Sequence, residues 1–189
     1  MEIILKALQE NRICGDPILS QDHFQKYRIE FIQKGITPKS TVGVCVNNSA
    51  NSLLHILALL DIGAVIVPFP PQNPKSQTEE LWHKLRCQFT LDDSGLKKTD
   101  IESGFDWPDD LALIMHSSGS TGVPKSIPYG WKRMRTNAQL MMNFLPDQPN
   151  LARHVCALSF CTSAGLYNAI LFPLLTNGTI IYTPQASAF

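Results

Sequence analysis

The sequence predicts an α/β protein built of stacked, mostly parallel sheets with helices on their faces. Short runs rich in β-branched residues (Thr41 to Val46, Ala64 to Phe69, Thr179 to Thr183), together with the apolar run Leu111 to Met115, alternate with longer stretches whose apolar residues recur every three or four positions. This order reads strand–helix–strand twice over, and strands joined through helices lie parallel, with the helices on the sheet faces. With 189 residues, 44% of them hydrophobic and 17% charged, the chain can bury a core of that kind.

The elements follow in order. A short helix opens the chain. Ser20 caps a second helix whose Phe24, Tyr27 and Phe31 share one face, and Gly35 ends it. Thr41 to Val46 is a strand bounded by Pro38 and Asn47-Asn48. The next helix is apolar on one side through Leu53, Leu54, Leu57 and Leu60, and Gly63 stops it before the strand Ala64 to Phe69. Ser76 and Glu79 are spaced as a capping box for a helix carrying Leu81 and Leu85, and Gln88 to Leu91 is a further strand. Asp92 to Asp109 is polar and reads as loop. The second alternation runs from the strand Leu111 to Met115 through a helix from about Trp131, a strand near His154 to Leu158, a helix to Asn177 stopped at Gly178, and the final strand.

Several function classes are excluded by composition. Lys plus Arg and Asp plus Glu each number 16, so no net field favours nucleic acid or an anionic membrane. The longest apolar stretches, Leu53 to Val67 and Leu166 to Leu175, contain His, Asp, Asn or Pro and fall short of the roughly 20 residues of a spanning helix. The N-terminus lacks the pattern of a secretory signal, so the cytoplasm is expected. Cys14, Cys45, Cys87, Cys156 and Cys161 fit neither a zinc ribbon nor a disulfide framework and read as reduced thiols, most of them in the core. His23, His55, His83 and His154 form no ligand-like spacing, and no metal-binding residues are assigned.

The chemistry is concentrated in His116 to Ser126, HSSGSTGVPKS. Gly119 and Gly122 allow an anion close to the backbone, Ser117, Ser118, Ser120 and Thr121 offer hydroxyls, and Lys125 adds a compact cation. Such a segment suits a polyphosphate, although Ser/Gly-rich loops also serve as plain linkers. The Walker pattern G-x-x-x-x-G-K-S/T is nearly met by Gly119 to Ser126, but Pro124 stands where glycine must precede the lysine, and it has no amide proton to offer. A P-loop NTPase is therefore the weaker reading.

The stretch LALIMHSSGSTGVPKSI resembles the phosphate-loop motif of the adenylate-forming ligase superfamily, which includes acyl-CoA synthetases, luciferases and peptide-synthetase adenylation domains. That motif runs Ser/Thr-Ser/Thr-Gly-Ser/Thr-Ser/Thr-Gly-x-Pro-Lys-Gly. Ser117 through Lys125 agree at every defined position, Ser126 replaces the last glycine, and Asp110 fits the lead-in. Weaker similarity covers Gly63, Ala64, Val67 and Pro68, the segment before them, and Gly178. In place of the aromatic–His pair of many acyl-CoA synthetases, this chain has Phe160 followed by Cys161 and Thr162. Amino-acid-activating relatives place Asp after such a Phe, and Cys161 cannot pair with an ammonium group, so an α-amino acid is disfavoured. For Cys161 and Thr162 the plain alternative is packing and helix capping, and Trp131, where relatives often have His, reads as packing.

The resemblance implies that a carboxylate attacks the α-phosphate of ATP, pyrophosphate leaves, and the acyl group then passes to a thiol of CoA or a carrier protein. Mg2+ is implied as cofactor. Ser117, Ser118, Gly119, Ser120, Thr121, Gly122 and Lys125 would hold the phosphates, with Lys125 catalytic, and Phe160, Cys161, Thr162 and Gly165 would belong to the acid pocket. The chain would be the N-terminal portion of the family's large domain: 1–110 a first α/β subregion, 111–189 the phosphate loop and the start of a second, without the C-terminal lid. It is accordingly expected to be inactive alone and to need a partner chain or the remaining part. The alternative from another class is a non-catalytic nucleotide-binding or interaction module derived from the ligase fold.

Overall fold

The β-branched runs pair as strands of two sheets in the computed structural model, which describes residues 2–15, 19–45, 47–117, 125–144 and 153–183. The larger sheet contains β2 (Thr41–Cys45), β3 (Val65–Phe69), β4 (Phe89–Asp92), β5 (Gly95–Lys98), β6 (Leu111–Ser117) and β7 (Lys125–Gly130), in the order β5-β4-β2-β3-β6-β7. Its four inner strands are parallel, and the edge strands β5 and β7 are antiparallel to their neighbours. The smaller sheet is wholly parallel, with β1 (Ile13–Gly15), β9 (Thr179–Tyr182) and β8 (Arg153–Cys156) in that order. The expected α/β class and mostly parallel pairing are thus found.

Side-chain alternation on the large sheet explains its two covered faces. Val65, Val67 and Phe69 of β3, with Leu111 and Ile114 of β6, pack with Leu85 and Cys87 beneath α4 (Lys75–Lys84). Ile66, Leu113, Met115, Val42 and Val44 belong to the main core. That core also contains Phe24 and Phe31 of α2 (Gln21–Gln33), Ile4 and Leu8 of α1 (Glu2–Gln9), and Ile13 and Ile180 of the small sheet.

Several local expectations hold. Ser20 accepts the His23 amide at 3.1 Å as N-cap of α2, and Gly63 closes α3 (Ala50–Ile62) at φ +89. The predicted one-sided helix is, however, buried nearly all round. Leu53, Leu54, Ile56, Leu57, Ala58, Leu59 and Leu60 are all buried, because α3 packs on α2 and on β3 inside the common core.

Other expectations are corrected. The predicted loop 92–109 contains β5. Gly95 at φ +107 closes a tight turn, in which Asp92 accepts from Ser94, and returns the chain as an antiparallel hairpin. The Ser76 and Glu79 capping box does not form. The N-cap of α4 is Pro74, so Ser76 already lies within the first turn. The helix before the last strand starts as a π-helix (Ala164–Leu171) and continues into α6 (Phe172–Leu175). There the left-handed residue is Asn177 at φ 57, and Gly178 instead donates its amide to the Pro173 carbonyl at 2.8 Å. Of the five thiols only Cys87 and Cys156 are buried; Cys45 and Cys161 are half-buried and Cys14 is exposed, so most are not core. The strand expected to reach Leu158 ends at Cys156, and Val46 lies outside the described residues.

Candidate active site

The segment singled out in the sequence connects β6 to β7. Leu111 to Met115 are buried and anchor β6 in the sheet, and β7 runs back beside it with Ser117 opposite Lys125. Ser118, Gly119, Ser120, Thr121, Gly122, Val123 and Pro124 lie outside the described residues, so the loop is fixed here only by its two ends. Lys125 is exposed at the mouth of this hairpin. A Walker loop leads from a strand into a helix whose N-terminal amides face the phosphate. Here the residues after the loop form a strand, which removes the P-loop NTPase geometry.

The hairpin leads directly into α5 (Trp131–Asn143). The Trp131 amide donates to the Asp110 carbonyl at 2.7 Å, tying the base of β6 to the start of that helix. Trp131 is half-buried against the main core, in keeping with a packing role.

A second segment, Leu158 to Gly165, is set by local hydrogen bonds. The Thr162 hydroxyl donates to the Ser159 carbonyl at 2.8 Å and accepts the Gly165 amide at 3.0 Å, while the Cys161 amide donates to Ser159 Oγ at 3.2 Å. A Cβ at Gly165 would collide with the Ser159 carbonyl. Asn48, just after β2, grips this turn from outside. Its Nδ2 donates to Leu158 O at 3.0 Å, its Oδ1 accepts the Phe160 amide at 3.1 Å, and its own carbonyl accepts the Tyr182 hydroxyl at 2.9 Å.

These segments meet at a cavity of ≈ 450 Å³ beyond the carboxyl ends of β3 and β6. It is lined by Pro68, Phe69 and Pro70, by Gln72, Asn73, Gln77 and Leu81, and by His116, Ser159, Cys161 and Thr162. In open parallel sheets ligands sit outside the carboxyl ends of the strands. Two of the four predicted pocket residues, Cys161 and Thr162, therefore line it. Phe160 and Gly165 do not: Phe160 is fully buried against Tyr182, at 6.1 Å between ring centroids, and Gly165 packs on the turn. Burial pushes the Cys161 thiol up to about 11, so it is neutral at pH 7. A larger cavity of ≈ 590 Å³ between α2, α3 and the β4–β5 hairpin contains none of the predicted site residues.

Two residues of this region were given no role in the sequence, His116, which opens the segment singled out there, and Asn48. His116 stacks on Phe69 at 4.9 Å, and Ser126 Oγ lies 3.4 Å from its Nδ1. Burial holds the imidazole down at about 4, so it is neutral at pH 7. Its signal was position, one residue before the Ser-rich run. Asn48 carried no signal, since its partners lie more than a hundred residues away. Among the described residues no group of three or more His, Cys, Asp or Glu could hold a metal ion, and no helix is long and apolar enough to cross a membrane.

The sequence model of the AMP-binding enzyme family matches residues 97–189. The chain is 26% identical over 171 residues to tyrocidine synthase 2 of Brevibacillus parabrevis, covering 78% of this chain and 5% of that protein. Its fold is shared with wild-type Escherichia coli MenE bound to an m phenylether-linked analogue of OSB-AMS, at TM-score 0.71 and 20% identity, covering 95% of this chain and 44% of that one. ATP-bound MatB from Rhodopseudomonas palustris superposes at TM-score 0.68 with 16% identity, covering 86% and 38%. The chain thus spans less than half the length of each relative named.

Proposed function

We propose that this chain, which is similar to AMP-binding enzymes in sequence, belongs to the adenylate-forming ligase superfamily and carries the phosphate-binding hairpin and one wall of the acid pocket of an ATP-dependent carboxylic acid ligase. The observation that carries this reading is the junction of two segments at one cavity. The β6–β7 hairpin presents Ser117 and Lys125 at its mouth, and the cavity beside it is shared by His116, Cys161 and Thr162.

In this reading a carboxylate oxygen attacks the α-phosphorus of ATP. The bond from that phosphorus to the bridging oxygen breaks, pyrophosphate leaves with the electron pair, and an acyl-adenylate remains. A thiol of CoA or a carrier protein then attacks the acyl carbonyl and AMP leaves. Ser117, Ser118, Gly119, Ser120, Thr121, Gly122 and Lys125 hold the β- and γ-phosphates, and Lys125 offsets negative charge on the departing pyrophosphate. Catalysis of this kind is positional and electrostatic and needs no proton donor from the loop. Magnesium, which the resemblance also implies, finds no fitting set of ligands among the described residues. Cys161, neutral and unable to pair with an ammonium group, supports acyl or aryl acids over α-amino acids.

The test is Lys125→Ala in the full-length protein, read as acid-dependent pyrophosphate release. A loss of roughly a hundredfold in kcat is expected, the usual effect of removing one group that stabilises developing charge. Unchanged turnover would remove the phosphate-loop assignment.

A further inference from the structure

We propose that His116 is the hydrogen-bond donor that reads the acyl group in the cavity beside the phosphate loop, so that accepted acids carry a neutral oxygen acceptor rather than an ammonium group or a second carboxylate. The proposal rests on the reading of that cavity as the acid pocket.

The cavity's lining decides the class of ligand. Its polar side chains are the amides of Gln72, Asn73 and Gln77, the hydroxyls of Ser159 and Thr162, the Cys161 thiol and the His116 imidazole. Among the described residues that line it, none is Asp, Glu, Lys or Arg. An ammonium group buried here would lack a carboxylate and a second carboxylate would lack a cation, and buried charge without a partner is strongly disfavoured. A hydroxyl, ether or carbonyl meets no such obstacle. The volume, ≈ 450 Å³, falls within the roughly 300–1,000 Å³ typical of small-molecule sites.

His116 supplies the directional element. Its Nε2 is buried and has no hydrogen-bond partner among the described residues, and buried polar atoms in that state are rare unless a ligand completes them. Among the described residues two other atoms share this condition, Arg12 Nη2 and Trp82 Nε1, and neither residue is among those that line this cavity. Phe69 holds the imidazole plane by stacking at 24°. On the other side of the ring, Ser126 Oγ lies 3.4 Å from Nδ1, and in the proposed arrangement its hydroxyl donates there while the ring carries its proton on Nε2. Ser126 stands where the resembling motif has glycine, so this contact to Nδ1 is one that the motif's glycine cannot make.

The experiment uses full-length protein with ATP and magnesium and measures pyrophosphate release with hexanoate, 3-hydroxyhexanoate, adipate and norleucine, and with benzoate and 2-hydroxybenzoate. The wild type should prefer a hydroxy acid over its plain counterpart by about tenfold or more in kcat/KM, with adipate and norleucine below hexanoate. His116→Phe should abolish the preference while the KM for ATP stays within about twofold. His116→Gln, whose amide can place an N–H near the Nε2 position, should restore part of it, and the shorter His116→Asn should not. If His116→Phe melts early, the Gln and Asn variants decide alone. A preference that survives in His116→Phe, or in equal measure in the Gln and Asn variants, overturns the proposal and leaves the ligase reading standing; so does a wild-type preference for adipate or norleucine. Absence of pyrophosphate release from the wild type with every acid overturns the ligase reading and this proposal with it.

Discussion

Gly165 and His116 show how single residues constrain the site. Any side chain at Gly165 would strike the backbone carbonyl of Ser159, and backbone cannot yield as a flexible side chain does. Gly165→Ala should therefore cost about 2–3 kcal/mol, seen as a lowered urea midpoint at unchanged slope. His116 makes a pH prediction. Its folded value, about 4, lies below the ordinary 6.5, so the unfolded chain takes up the proton first as the solution is acidified. Stability from this residue is fully present above pH 6.5 and is lost progressively from pH 6.5 down to about 4. His55 and His154 are also lowered by burial and act with the same sign. Between pH 7 and pH 5 the His116 share should be about 1 kcal/mol after allowance for the ring's partial exposure, and His116→Phe should flatten the urea midpoint against pH by that amount. At this scale the sequence was legible where a role depends on local spacing, as in the Ser20 cap. It was silent where a role depends on distant neighbours, as with the burial of His116 against Phe69.

The elements that position the cavity are the β6–β7 hairpin and the turn between β8 and the π-helix. The strand–helix alternation and the parallel inner strands were readable because hydrophobic period and glycine stops are local properties. The antiparallel edge strands were not. β5 hides in a polar segment because its burial is partial, and β7 contains Pro128, which an edge strand tolerates but a sequence pattern discourages. Likewise β1 is three residues long and exists by pairing with β9, 167 positions later. Asn48 joins the large sheet to the β8 turn through two side-chain hydrogen bonds. Asn48→Ala should cost roughly 1–3 kcal/mol, because it leaves a buried amide without its acceptor. It should also raise the KM for the acid several-fold more than that for ATP, since the turn it holds carries Cys161 and Thr162. Equal rises in both would make Asn48 a purely structural residue.

Across the whole molecule, one core unites both sheets, and the most exposed apolar groups among the described residues, Phe144 and Val155, lie at the end of α5 and on β8. Leu140 and Met141 of α5 and Phe144 just after it are exposed, as are Val155 of β8, an edge strand of the small sheet, and Leu158 two residues beyond that strand. Exposed apolar surface beside an unpaired strand edge favours association. A protein of this 189-residue sequence should sediment as more than a monomer, and Phe144→Lys with Val155→Lys should shift it toward the monomer. The central claim, that the β6–β7 hairpin serves acid-dependent transfer of adenylate, is tested most directly by exchange of labelled pyrophosphate into ATP, which reports reversal of adenylate formation alone. Full-length protein should show exchange only when a carboxylic acid is present, and Lys125→Ala should depress it roughly a hundredfold. Acid-independent release of phosphate and ADP, or ATP binding without exchange for any carboxylic acid, would contradict the account.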